Sequence, residues 1–164
     1  MRFGIAMAAL GVACGAVFSS ASSAQDATVT GGMTIGEVAA IMAGEGLLAE
    51  IAAGGEAGKV QSAVSGADFE VFSFNCNEAS RCTEFLFITG FDLPEGFPLE
   101  QINDWNARKT GGRAYLDDER DPFLDHVISV SGPIDSGAFV EGLYFWAAAL
   151  DAYIDYIELP SNSI

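Results

Sequence analysis

Phe69-Glu70-Val71-Phe72-Ser73-Phe74-Asn75-Cys76 and Cys82-Thr83-Glu84-Phe85-Leu86-Phe87-Ile88-Thr89-Gly90-Phe91, joined by Asn77-Glu78-Ala79-Ser80-Arg81, decide the fold. Aromatic and β-branched residues suit a pleated, half-buried strand, and a short polar link between two such runs reads as a hairpin. In the second run Phe85, Leu86, Phe87 and Ile88 are apolar without alternation. That pattern predicts a central strand covered on both faces. Cys76 and Cys82 then stand across the mouth of the hairpin. Facing Cα atoms of adjacent strands lie about 4.5–5.5 Å apart, within reach of a disulfide. A metal site would need two more ligands nearby, and His126 is the only histidine of the chain. The disulfide is favoured. So short a loop gains about 2 kcal/mol from the cross-link, and its role is to fix register. Redox pairs favour C-x-x-C spacing at a helix N-terminus. Here Glu78 and Glu84 stand beside the cysteines and would raise a thiol pKa.

Outward from the hairpin, the sequence alternates helices with short strands. Thr34 and Glu37 have the spacing of a capping box, opening a first helix with Ile35, Val38, Ala39 and Met42 on one face and Gly44 and Gly46 at its end. Residues 47–53 and 59–65 read as strands, the second weak. Pro94 and Pro98 bracket a loop. Leu99 to Arg108 reads as a second helix with Leu99, Ile102 and Trp105 on a common face, stopped by Gly111-Gly112. Residues 113–117 and 124–131 predict a second hairpin around Asp118-Glu119-Arg120-Asp121-Pro122. Asp135 caps a last helix running to about Ile157. In it Phe139, Leu143, Trp146, Leu150 and Tyr153 repeat at heptad-like intervals. That seam packs on the domain's own sheet or forms a dimer face, and Tyr144, Phe145, Ile154 and Tyr156 widen its apolar surface.

The N-terminus has the layout of a cleaved secretion signal: Met1-Arg2, an uncharged apolar run from Phe3 to Phe18, then small residues up to Ala24. A permanent span needs about 20 predominantly apolar residues, so cleavage ahead of Gln25 is expected; lipidation of Cys14 is the other reading. The expected organisation is signal 1–24, unstructured linker 25–33, one α+β domain 34–158 and a tail 159–164. No membrane insertion follows cleavage, and the protein is placed in the periplasm or secreted. Once Arg2 leaves with the signal, six cations face 23 carboxylates. Such a surface repels nucleic acid and anionic lipid headgroups.

Catalytic constellations are missing from the sequence. A Ser-His-Asp set has only His126 to draw on, inside a predicted strand, and no G-x-S-x-G occurs. Phosphate-loop and dinucleotide-binding patterns are missing too. Asp117, Glu119 and Asp121 have the spacing that opens a calcium loop. Pro122 stands where that loop needs Gly, and Ile128 where it needs a bidentate Glu. A solvated hairpin turn is expected, with weak cation binding left open. Arg108, Lys109 and Arg113 form the one cationic cluster, read as partners of a helix C-terminus or as an anion site. No catalytic residue, cofactor or metal ligand is assigned.

Ile102-Asn103-Asp104-Trp105-Asn106, then Gly112-Arg113-Ala114-Tyr115-Leu116-Asp117 and Asp121-Pro122, resemble the YbjN-domain family. The resemblance covers about residues 34–157 and is most specific between Asn103 and Asp117. The family is named for sensory transduction regulation in bacteria. The resemblance implies the fold of type III secretion chaperones: a twisted antiparallel sheet with a helix first, one within and one last, often as a dimer. Departures fall at Thr110-Gly111, at His126 and at Ser131-Gly132-Pro133. The family supplies no catalytic residues. It implies a non-enzymatic binding, chaperone-like or regulatory module; a small-ligand sensor and a carboxylate-dependent hydrolase are the alternatives. The partner is a protein or a second copy of the chain. Trp105, Asn106, Arg113 and Tyr115 are the candidate lining of a partner groove, against an architectural role for the motif.

Overall fold

Thr34 starts the first helix by a reciprocal cap. Its Oγ1 accepts the Glu37 backbone N–H at 3.2 Å, and Glu37 Oε2 accepts the Thr34 N–H at 2.8 Å. Two donors without an intrahelical partner are satisfied in this way. Helix α1 (Ile35–Gly44) buries Ile35, Val38, Ala39 and Met42, the face its sequence predicts. The computed structural model describes residues 28–29, 31–132 and 134–158. The expected signal 1–24 and tail 159–164 lie outside them.

After a minor strand β1 (Thr28–Val29) and α1 come β2 (Glu50–Ala52), β3 (Lys59–Val64), β4 (Ala67–Cys76) and β5 (Cys82–Gly90). Then follow α2 (Leu99–Arg108), β6 (Arg113–Leu116), β7 (Pro122–Ser129), β8 (Ile134–Asp135) and α3 (Ser136–Glu158). The main sheet has six strands in the order β2-β3-β4-β5-β7-β6, antiparallel throughout. The architecture is the expected single α+β domain with a helix before, within and after the sheet.

Alternation along each strand sends Phe69, Val71, Phe85, Phe87 and Leu124 to one face, all buried. The α3 seam covers them. Trp146 meets Phe69 and Phe87 at ring-centroid distances of 5.7 and 5.8 Å, and Phe139 meets Phe85 at 6.0 Å. Gly142 permits this approach, because a Cβ there would lie 2.8 Å from Ile128 Cδ1. Helix α2 joins the same side through Trp105, whose ring is 4.8 Å from Tyr153, and α1 also contacts α3.

Several sequence expectations need correction. Strand β5 is central but covered on one face only, since α1, α2 and α3 all lie on one side. Successive apolar residues show that both faces of a strand are apolar; they carry no information on what covers each. Within the expected linker 25–33, the described residues include paired ones. Thr28–Val29 pair with Ile134–Asp135, and Met33 is buried and exchanges two backbone hydrogen bonds with Cys82, at 2.9 and 2.8 Å. Leu99 is 53% exposed, so only Ile102 and Trp105 form the buried face of α2. The strand expected over 47–53 is confined to Glu50–Ala52, and that expected from residue 124 starts at Pro122, which as the first residue of a strand leaves the ladder intact.

Candidate functional site

The described helices leave one face of the sheet bare. Register lays its side chains out in rows. Lys59, Phe72, Leu86 and Val127 face one another in turn across β3, β4, β5 and β7. The next row runs Glu50, Gln61, Glu70, Ile88, Asp125, Arg113 across all six strands. Tyr115 pairs with Phe123 at the β6 end, their rings stacked at 5.4 Å and 16°. Phe72, Leu86, Ile88 and Phe123 are half-buried and Val127 is 49% exposed. Phe123 lies flat over Gly90, where a Cβ would come within 2.4 Å of the ring. A hollow of about 600 Å³ opens among Leu48, Glu50, Glu70, Phe72, Ile88 and Phe123.

Both cations of these rows are engaged. Lys59 binds Glu70 and sits 5.2 Å from the Phe72 ring centroid. Arg113 forks onto Asp125, its Nε 3.2 Å from Oδ1 and a second nitrogen on Oδ2, and lies 5.2 Å from the Tyr115 ring. Asp125 is 5% exposed, so Arg113 supplies the counter-charge that its burial requires. That hydrogen bond and charge raise the Arg113 pKa. Burial, with Asp125 adding to it, raises that of Tyr115.

The four residues expected to line one groove are not brought together. Trp105 is buried on the helix side, against Tyr153 and Tyr156. Asn106 is held by the backbone of β6. Arg113 and Tyr115 reach the bare face, and Asn106 lines a hollow at its border with Arg113, Leu86 and Val127. Asn106 satisfies backbone groups of β6 at Ala114, while Asn103 of the same motif is exposed. The proposed dimer face is also displaced: Phe139, Leu143, Trp146, Leu150 and Tyr153 are each 1% exposed or less, consumed by the protomer's own core. A heptad seam on an amphipathic helix fits a sheet as well as a second helix, and here the sheet takes it.

Cys76 and Cys82 are disulfide-bonded, directly opposite each other on β4 and β5. The acidic turn closes the β6–β7 hairpin by internal bonds. Asp117 Oδ1 accepts the N–H groups of Glu119 and Asp121 at 2.9 and 2.8 Å, and Asp121 Oδ1 accepts that of Leu93 at 2.9 Å. Among the described residues, no three His, Cys, Asp or Glu side chains converge as metal ligands. His126 packs against Phe145 with centroids 5.3 Å apart and the rings tilted at 49°. Burial lowers its pKa, against a smaller opposing pull from Asp125. In the cationic cluster, Arg108 binds Asp104 at 2.7 Å, while Lys109 and Arg113 border an open hollow of about 670 Å³. What sequence reasoning missed is the exposure of Phe72, Leu86, Ile88 and Phe123. The signal was present, in strands apolar on both faces with too few helices to cover both.

The profile of one family, YbjN, described as "Putative bacterial sensory transduction regulator", matches residues 34–159. Comparison with curated proteins gives no match, and comparison with solved structures gives none. YbjN is described as a regulator family, not as an enzyme family. The chain belongs to the YbjN family, and membership supports a regulatory or binding role.

Proposed function

We propose that the chain is an exported, non-enzymatic binding module that presents the bare sheet face to a protein partner outside the inner membrane, in the periplasm or beyond the cell. The observation that carries this reading is the contiguous row Phe72, Leu86, Val127 with Ile88 and Phe123 beside it, left without cover by every described helix. Contiguous exposed apolar surface on a soluble domain marks interaction sites. A chaperone-like or regulatory module needs such a surface and no reacting group. The signal-like N-terminus and a disulfide, which persists in oxidising compartments, support export.

A small-ligand sensor is the second reading, favoured by the hollow of about 600 Å³, within the size range of small-molecule sites. A carboxylate-dependent hydrolase is weaker. Of the acidic residues at that hollow, Glu70 is already engaged by Lys59 and Gln61.

Two measurements test the proposal. A photo-crosslinking residue at Val127, in cells carrying the full chain, is expected to give a discrete protein adduct, and the same residue at Tyr144 on the helix side to give none. Equal labelling from both positions, or none from Val127, removes the bare face as the docking surface. Mass spectrometry of the native protein is expected to find an N-terminus near Gln25; an intact Met1 or a lipidated Cys14 overturns the export reading.

A further inference from the structure

We infer that the segment recognised by the bare face is cationic and apolar: a protein stretch in which Lys or Arg stands beside large apolar side chains. This rests on the reading of that face as a docking surface and adds the chemistry of what docks. The row Phe72, Leu86, Val127 is flanked on both sides by carboxylates. Glu84, on β5 two residues before Leu86, borders one side; Glu50 and Glu70, in the row through Ile88, border the other. Lys59 is neutralised by Glu70 and Arg113 by Asp125. Asp68, two residues before Glu70 on β4, lines the same hollow as Glu50, and among the described residues Glu50, Asp68 and Glu84 make no ion pair. Lys109, which makes no ion pair among the described residues, lines a hollow with Leu86 and Val127; set against Glu50, Asp68 and Glu84, the charge left free on the face is still net negative.

A partner segment laid along the apolar row puts apolar side chains into it, and long cationic side chains beside them can bend sideways to the flanking acids. Cationic residues at those positions gain; acidic ones are repelled. The whole chain, at net charge −16, steers in the same direction. The same argument disfavours a second copy of the chain on this face, because two copies would set Glu50, Asp68 and Glu84 of each against a surface that is itself net acidic.

The test uses the mature chain and three labelled short peptides of one apolar pattern, Val and Leu interspersed with Lys, with Gln or with Glu. Fluorescence anisotropy is expected to rank them Lys, Gln, Glu from tightest to weakest, with the Lys peptide weakening as salt rises. The combined variant Glu50→Gln, Asp68→Asn, Glu84→Gln should bind the Lys peptide about tenfold more weakly, the size expected for three exposed charge contacts. The charge-matched variant Glu141→Gln, Asp151→Asn, Asp155→Asn, on the exposed side of α3, should change affinity by less than about twofold. Equal losses from both variants mean attraction to net charge alone and overturn the inference. A Gln peptide bound as tightly as the Lys peptide overturns the charge specificity while leaving the face a docking surface. No binding of any peptide, or a sedimenting dimer that the Lys peptide cannot dissociate and that Val127→Asp abolishes, overturns it as well.

Discussion

Asn106 holds Ala114 by two hydrogen bonds. Its Oδ1 accepts the Ala114 backbone N–H and its Nδ2 donates to the Ala114 carbonyl, each at 2.9 Å. Strand β6 is an edge of the sheet, and an open edge is a template for pairing with other chains. The α2 side chain supplies here what a neighbouring strand would supply.

Asn106→Ala leaves one donor and one acceptor of the edge without that partner. The expected loss of stability is about 1–3 kcal/mol, from two hydrogen bonds of ordinary net worth. Asn106→Asp keeps the acceptor and loses the donor, so it should fall between the two. Urea unfolding measures both. A wild-type midpoint for Asn106→Ala would show that the edge is not held in this way.

The disulfide joins β4 to β5 at the point where Met33 also bridges to β5, so the clip and the N-terminal crossing share Cys82. Arg81 beside it donates to the Gly32 carbonyl at 2.6 Å and to Glu37 at 3.2 Å. Replacing both cysteines with serine is expected to lower stability by about 2 kcal/mol and to raise amide exchange at Met33 and at position 82 before the centre of the sheet. Non-reduced peptide mapping of the native protein should recover the linked pair. Free thiols there, or unchanged exchange at Met33, would contradict the coupling.

The elements legible in the sequence are those whose determinants are local. Thr34 and Glu37 announced α1, and α2 has the expected bounds, Leu99 to Arg108. The central hairpin and its disulfide followed from strand formers and from a loop too short to join anything but neighbours. What was not legible depends on partners far along the chain. The two-residue strands β1 and β8 are too short to carry periodicity and exist only because they meet each other. Trp105 reads equally well as a groove residue or a core residue until Tyr153, 48 positions later, is seen to take its ring. The bare face was hidden for the same reason: Leu86 and Ile88 look buried until the helices are all found on the other side.

His126 sets a pH response. Burial pushes its pKa below the ordinary 6.5, so the folded protein favours the neutral ring and the unfolded chain takes up the proton first. Its contribution to stability is complete above the unfolded value. It is lost as pH falls from about 6.5 toward the folded value, then levels off. His126→Gln should flatten the unfolding free energy across that window. Glu37 acts separately and lower, its pKa depressed chiefly by the backbone hydrogen bond from Thr34; its contribution is lost as pH falls below the ordinary 4.5. Equal slopes for wild type and His126→Gln between about pH 7 and pH 5.5 would refute the assignment.

The two sides of α3 should respond oppositely to substitution. Leu143 is 1% exposed and belongs to the core beneath the helix, while Tyr144, the next residue, is 57% exposed and bonds Glu45 at the surface. Leu143→Ala removes buried methyl groups and leaves a cavity, an expected loss of about 2–5 kcal/mol. Tyr144→Ser should leave the unfolding midpoint close to wild type. If the seam serves the protomer's own core, the cost of Leu143→Ala is independent of protein concentration. If it were an interface between copies, the cost would shrink on dilution, because the interface contributes to stability only as far as the dimer is populated. Denaturant unfolding of both variants over a wide concentration range, with sedimentation at each, separates the cases. A concentration-dependent cost would return Phe139, Leu143, Trp146, Leu150 and Tyr153 to the role of a dimer face.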